Sequence, residues 1–304
     1  MASGAPGSGG AGRLFIVATP IGNLADVTLR ALDVLRAVPL IAAEDTRHSR
    51  RLLAPHAITT HLVSFHARNA EARLPELLGH LRAGADLALI TDAGTPGVSD
   101  PGEDLVRAWA AEGGTVVPIP GASAVLAAVV ASGIAGPRWS FEGFLPRSGR
   151  ERRDRLARIA ADERATVLYE APGRVAATLA DLAAACGGDR LGAVCRELTK
   201  IHETITRGSL ADLAEGARSG AIPVRGEFAL VVGAGQGSAA PEVVADAEAA
   251  ARTEVERLVA SGIARGDAAR RVAAATGVNR RKLYGAGSNS APGTDRVQDE
   301  RRGG

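Results

Sequence analysis

Five short apolar runs, each followed by a longer segment with helical spacing, fill the chain from Arg13 to about Gly133. LFIVA, LIAAE, LVSF, LALIT and TVVPI are too short for helices and show little polar alternation, as strands buried on both faces require. Between and after them lie Asp26 to Ala37, Asp45 to Leu53, Asn69 to Arg82, Pro101 to Glu112 and Ala122 to Ser132. The alternation predicts a parallel, doubly wound α/β sheet with ligands at the carboxyl ends of its strands. From Arg147 to Gly233 the order is less regular: a charged helix, TVLYE, an alanine-rich helix, LGAVCRE, the run Ile201 to Thr206, and EFALVV. Two strand-like runs with no helix between them predict a mixed sheet in a second α/β domain. The expected organisation is a disordered tail over 1–12, an N-terminal α/β domain over 13–120 and a C-terminal α/β domain over 121–233. A linker, a basic module over 243–284 resembling a helix-turn-helix, and a disordered tail over 285–304 follow.

Charge and composition narrow the class. A formal net charge of +2 implies no nucleic-acid partner by itself, so any such partner must be argued from clustering. Two segments are basic: 147–164 holds seven arginines against four acids, and 252–282 eight cations against three acids. Either binds phosphates or is a solvated helix face. Cys186 and Cys195 form no CxxC pattern, and two thiols in 304 residues do not suggest an oxidising compartment. The stretch Ala122 to Ala135 falls short of the ~20 residues a membrane span needs. Residues 1–12 lack the features of a signal peptide, so the expected location is cytoplasmic. His48, His56, His61 and His66 have no accompanying ligand pattern, and no metal is expected.

Three loops at strand ends invite chemistry. The first, ATPIGN, has no G-x-G-x-x-G, which disfavours a dinucleotide fold; an ordinary turn feeding a helix capped by Asp26 or Thr28 fits equally well. The second, Thr91 to Gly102, is longer than a βα turn requires and rich in glycine and proline. Its glycines allow close backbone approach to a ligand, and Asp92, Thr95 and Ser99 add polar side chains. The third, PIPGASA, opens a helix whose free N–H groups can receive a carboxylate, with Ser123 as cap, contact or both.

ATPIGN, AEDTR, DAGTPGVSDPG, PIPGASA, FEGFLPR, LYEAPGR, RELTKIHE and GEFALVV, in this order from Arg13 to Gly233, resemble the ribosomal RNA small subunit methyltransferase I family of the tetrapyrrole methylase superfamily. The resemblance implies an S-adenosylmethionine (SAM)-dependent enzyme that methylates the ribose 2′-hydroxyl of a cytidine in 16S rRNA, alone or in the assembled 30S subunit. It also implies two α/β domains with SAM in the cleft between them, and a homodimer. Carried over position by position, cofactor contacts would fall on Pro20, Asp92, Gly94, Thr95, Val98, Ser123, Ala124, Tyr169, Glu227, Phe228 and Ala229. Gly173 departs from the pattern, which more often has a larger residue there.

Such a transfer needs a group to take the hydroxyl proton. Lys200 is the first candidate, being one of two lysines in a chain with 34 arginines. Glu197, Glu44 and Asp45 are the carboxylate candidates. A surface lysine near a strand end and a helix cap at Asp45 are the structural alternatives. A tetrapyrrole carbon methylase and a non-catalytic RNA-binding assembly protein remain as other functional readings.

Overall fold

The computed structural model describes residues 10–235, 241–276, 278, 280 and 283. All five expected strands form, as β1 (Arg13–Val17), β2 (Leu40–Ala43), β3 (His61–Ser64), β4 (Leu87–Ile90) and β5 (Thr115–Ile119). They make one parallel sheet in the order β3-β2-β4-β1-β5. Successive side chains point to opposite faces. Leu14 therefore joins Leu77, Leu81, Leu89, Leu105 and Trp109 on one side, while Phe15 joins Leu32, Leu35, Ile41 and Ile90 on the other.

The intervening helices are α1 (Leu29–Ala37), α2 (Thr46–Leu53), α3 (Ala70–Arg82), α4 (Glu103–Ala111) and α5 (Ala124–Ser132). Side-chain caps set three of the starts: Thr28 accepts from Ala31 N–H, Asp45 from Arg47 and His48 N–H, and Ser123 from Leu126 N–H. The first helix thus begins later than the expected Asp26, because residues Leu24–Asp26 form a separate 3-10 turn held by Asn23. Gly12, expected in the tail, is buried and donates to Leu81 O at 2.7 Å.

The second sheet is mixed, as expected. It comprises β6 (Trp139–Phe144), β7 (Ala165–Glu170), β8 (Leu191–Arg196), β9 (Thr204–Ser209) and β10 (Phe228–Val232), ordered β6-β7-β10-β8-β9. Only β6 and β7 are parallel. Helices α6 (Gly149–Ala161), α7 (Val175–Cys186) and α8 (Leu210–Ser219) accompany it. Two elements are absent from the sequence reading. Edge strand β6 is half-buried and broken by a bulge between Phe141 and Gly143, and α8 carries a mid-helix glycine, Gly216. Strand β9 starts at Thr204 because Ile201 sits in a turn, 97% exposed. Helix α5 follows the first sheet in sequence but packs Val125 and Ala128 against Val167, Cys195 and Ala229 of the second.

Described residues of 1–238 form one compact unit containing both sheets, and those of 239–304 form another. In the latter, α9 (Pro241–Ala260) and α10 (Arg265–Thr276) enclose Ala251, Val255, Ala268, Val272 and Leu283. The terminal tails, most of the linker and most of the third short helix expected near Arg280, Arg281 and Lys282 lie outside the described residues.

A buried polar network fixes the end of β7. The Glu170 side chain is fully buried. It accepts from Thr178 Oγ1 at 2.6 Å and Ala171 N–H at 2.8 Å, and faces Arg174 at 3.1 Å. Arg152 donates to Thr178 Oγ1 and Asp181, and both arginines hold the carbonyl of Pro146. Thr178→Val keeps the shape but strips a buried carboxylate of a donor. It should lower unfolding free energy by about 1–3 kcal/mol, read from the urea midpoint at unchanged slope.

Candidate active site

Loops from both sheets converge on a cleft of about 350 Å³, within the range of small-molecule sites. From the first sheet come Gly94, Thr95 and Val98 of the β4–α4 loop. Backbone pairing of Thr19 with Gly94, at 2.8 and 3.1 Å, fastens this loop to the exit of β1. The N-terminus of α5 contributes Ser123 and Ala124, β7 contributes Tyr169, and Glu227, Phe228 and Ala229 line the other side. Nine of the eleven expected cofactor positions therefore share one wall system. Pro20 and Asp92 do not line it: Pro20 is buried in the β1 exit, and Asp92 is turned to accept from Asp45 N–H at 3.2 Å.

None of the four expected catalytic side chains lines the cleft. Lys200 Nζ lies 2.9 Å from Glu197 and 3.0 Å from Glu227. Burial pulls its pKa down, but the hydrogen bonds it donates to Glu197 and Glu227 more than reverse this, and the net shift is upward. In this environment the ammonium form is favoured, and the stem packs on Gly22, where a Cβ would stand 2.4 Å from Lys200 Cγ. Glu197 accepts from Glu227 N–H at 2.8 Å and from Lys200, which lowers its pKa. It sits at φ 53°, and a Cβ on Gly226 would meet its carboxyl at 2.5 Å. Glu197 is a clamp on the 226–227 segment and is poorly suited to take a proton.

Asp45 proves to be the helix cap. Its hydrogen bonds to the Arg47 side chain and backbone hold its carboxyl at about 2, too acidic for a base at neutral pH. Glu44 accepts from Asp92 N–H at 3.2 Å, so this cluster braces the loop that follows β4.

Asp100 is the carboxylate that the sequence reading did not single out. It lines the cleft, and burial, followed by the charge of Glu44, pushes its pKa up to about 6. Ser99 before it has φ 65°, a left-handed conformation that a serine adopts only when its surroundings impose it. In sequence Asp100 is only the Asp of an Asp-Pro-Gly turn, and its burial arises from chain segments distant in sequence.

Charge counting overestimated the basic surfaces. Within 147–164, Arg152 is internal, Arg155 holds the β6 carbonyls of Glu142 and Phe144, and Arg164 pairs with Asp162. Arg147, Arg150, Arg153 and Arg158 remain outward. In the C-terminal unit Arg257, Arg265 and Arg270 face Glu254, Glu256 and Asp267 at 2.5–2.7 Å.

Residues 13–214 match the family model of the tetrapyrrole (corrin/porphyrin) methylases. Among solved structures, uroporphyrin-III C-methyltransferase from Thermus thermophilus complexed with S-adenyl homocysteine aligns at TM-score 0.54. It is 20% identical, over 77% of this chain and 100% of its own. The methyltransferase CobJ aligns at 0.57 with 21% identity, over 74% and 95%. These two share the fold. Much nearer in sequence are proteins named ribosomal RNA small subunit methyltransferase I. The one from Synechocystis sp. is 46% identical over 90% of this chain and 96% of its own length, and that from Pseudomonas aeruginosa 44% identical over 90% and 96%. The chain belongs to the ribosomal RNA small subunit methyltransferase I family of the tetrapyrrole methylases.

The raised pKa of Asp100 has a consequence for stability. Between pH 4 and 6 the unfolded chain releases this proton while the native chain retains it, so native stability falls as pH rises through that window. Asp100→Asn should abolish the loss. After discounting for solvent screening, the variant should gain about 1 kcal/mol at pH 8 and nothing at pH 3.5, measured by urea unfolding at both pH values.

Proposed function

We propose that this chain transfers a methyl group from SAM to the ribose 2′-hydroxyl of a cytidine in small-subunit rRNA. The observation that carries this reading is a cleft lined by nine of the eleven expected cofactor positions in a chain nearly half identical, over nine-tenths of its length, to a relative named for rRNA methylation. The cleft suits the cofactor. Val98, Leu198, Cys195 and Ala229 offer an apolar face for an adenosine, and the N-terminus of α5 at Ser123 and Ala124 offers free N–H groups to a carboxylate. When bound, SAM supplies an electrophilic methyl on a sulfonium.

This chain's own task is alignment and proton removal. Asp100 accepts the hydroxyl proton at its carboxylate oxygen, since a base with pKa near 6 is mostly deprotonated at neutral pH yet basic enough to assist. Lys200 positions Glu227 at the cleft wall through its two ion pairs. Outward arginines 147, 150, 153 and 158 take backbone phosphates. The chain acts in the cytoplasm as a homodimer, with Leu126 and Val130 of α5 exposed at 53% and 81% as the apolar surface for a second copy. Among the described residues no helix is long and apolar enough to cross a membrane.

The test is incubation with methyl-labelled SAM and either naked 16S rRNA or unmethylated 30S subunits, followed by digestion to nucleosides. Label in 2′-O-methylcytidine is expected, and label in neither RNA overturns the reading. Single-turnover rates should fall tenfold per pH unit below about pH 6, and Asp100→Asn should lose both that dependence and about 10²-fold in rate. An intact acidic limb in Asp100→Asn would transfer the role to another group.

A further inference from the structure

Aromatic side chains are scarce here: five Phe, two Tyr and two Trp in 304 residues. Buried or half-buried positions take Phe15, Phe65, Phe141, Phe228, Trp109, Trp139 and Tyr169. Phe144 is the exposed aromatic among the described residues, at 51%, and it stands at the lip of the cleft. An exposed Phe is ordinary on a protein surface. Three features make this one different.

The backbone is shaped to present it. The register of β6 against β7 shifts between Phe141 and Gly143, and Gly143 has φ 62°, a turn that carries the next side chain out of the normal alternation. Arg155 Nη1 then holds the carbonyls of Glu142 and Phe144 at 3.1 and 3.3 Å, pinning both sides of the bulge. The ring is also backed. Phe144 meets Tyr169 with centroids 5.6 Å apart, and Tyr169 rests edge-on against Phe141 at 5.0 Å, so the ring is braced on one side and open on the other. Finally, the chain runs directly from this ring into the outward arginines 147, 150 and 153, with Arg147 and Arg153 lacking an ion-pair partner among the described residues.

We propose that Phe144 is a stacking platform for the nucleobase of the substrate nucleotide, or of its immediate neighbour, as the ribose enters the cleft. The proposal rests on the rRNA reading above and adds the residue that receives the base. Planar bases stack on aromatic faces in single-stranded RNA recognition, and enzymes acting on a nucleotide draw it out of its helix. The adenine of the cofactor has the same chemistry. The geometry favours the substrate, because the apolar lining at Cys195, Leu198 and Ala229 is buried, whereas Phe144 is 51% exposed.

Wild-type protein must first place label from SAM on the RNA; failure there concerns the rRNA reading and leaves this one aside. Phe144→Ala should then raise the KM for 30S subunits or 16S rRNA about tenfold or more, the scale of one lost base–aromatic stack. SAM affinity by calorimetry and thermal stability should stay near wild type. Phe144→Trp and Phe144→Tyr should restore the KM, while Phe144→Leu, similar in apolar bulk, should not. A KM for RNA unchanged in folded Phe144→Ala overturns the proposal, as does rescue by leucine. Loss of SAM affinity in Phe144→Ala that tyrosine restores would also overturn it, assigning the ring to the cofactor's adenine.

Discussion

The cleft depends on one small charged clamp. Glu197 reaches across to Glu227 N–H and to Lys200, and the Lys200 stem lies on Gly22 in the loop after β1. One lysine thereby joins the carboxyl edge of the first sheet to a wall built on the second. Partial exposure keeps the energy of each ion pair modest, but one oxygen of the Glu197 carboxylate, Oε1, accepts from a cation and a backbone donor together. The value of the clamp lies in geometry: it adds to the Glu197 N–H bond to the Glu227 carbonyl, at 2.9 Å, in fixing the segment beside Phe228 and Ala229. An arginine's planar fork would not fit against Gly22 as the slender alkyl stem does, which accounts for a lysine in so arginine-rich a chain.

Unfavourable conformations concentrate around this cleft. Ser99, Glu197 and Thr199, three of the four non-glycine residues with positive φ among the described residues, Ala57 being the fourth, carry an expected cost of roughly 1–3 kcal/mol each. Asp100 holds a carboxyl where burial and Glu44 oppose its charge, and Glu170 is a fully buried acid that needs Thr178, Arg174 and Ala171 to remain satisfied. Elsewhere the sheets and helices are ordinary, with side-chain caps and apolar cores. Strain held at a cleft and supported by a regular scaffold is the pattern of a preorganised site.

Arginine serves three separate purposes here. Arg152, Arg174 and Arg190 act as internal struts that bond backbone carbonyls or buried acids. Arg257 and Arg270 are balanced by neighbours on their own helices, and Arg265, at the start of α10, by Glu256 of α9. Only a remainder, including Arg147 and Arg153, is available for phosphates. Composition cannot separate these roles, since all carry the same formal charge, and only partner distances do.

The sequence by itself determined the first sheet almost completely, because each of its strands is a continuous apolar run and each helix has its own periodicity. Two helix caps were likewise legible as Asp45 and Ser123, and a third as one of Asp26 or Thr28, since a cap is an interaction between residues two or three apart. Most of the cleft wall could be read through family resemblance, which reports residues without reporting why they converge. Tertiary structure alone decided the rest. The second ion pair of Lys200 forms because the fold brings Glu227, just before β10, alongside it. Asp100 looked like turn chemistry and became a cleft carboxyl of raised pKa because Glu44 and the cleft walls close around it. Strand β6 was hidden because an edge strand with a bulge has no clean alternation, although that irregularity is what exposes Phe144. Local interactions are written in neighbouring residues, whereas a pKa or an exposed ring depends on which remote segments the fold brings alongside.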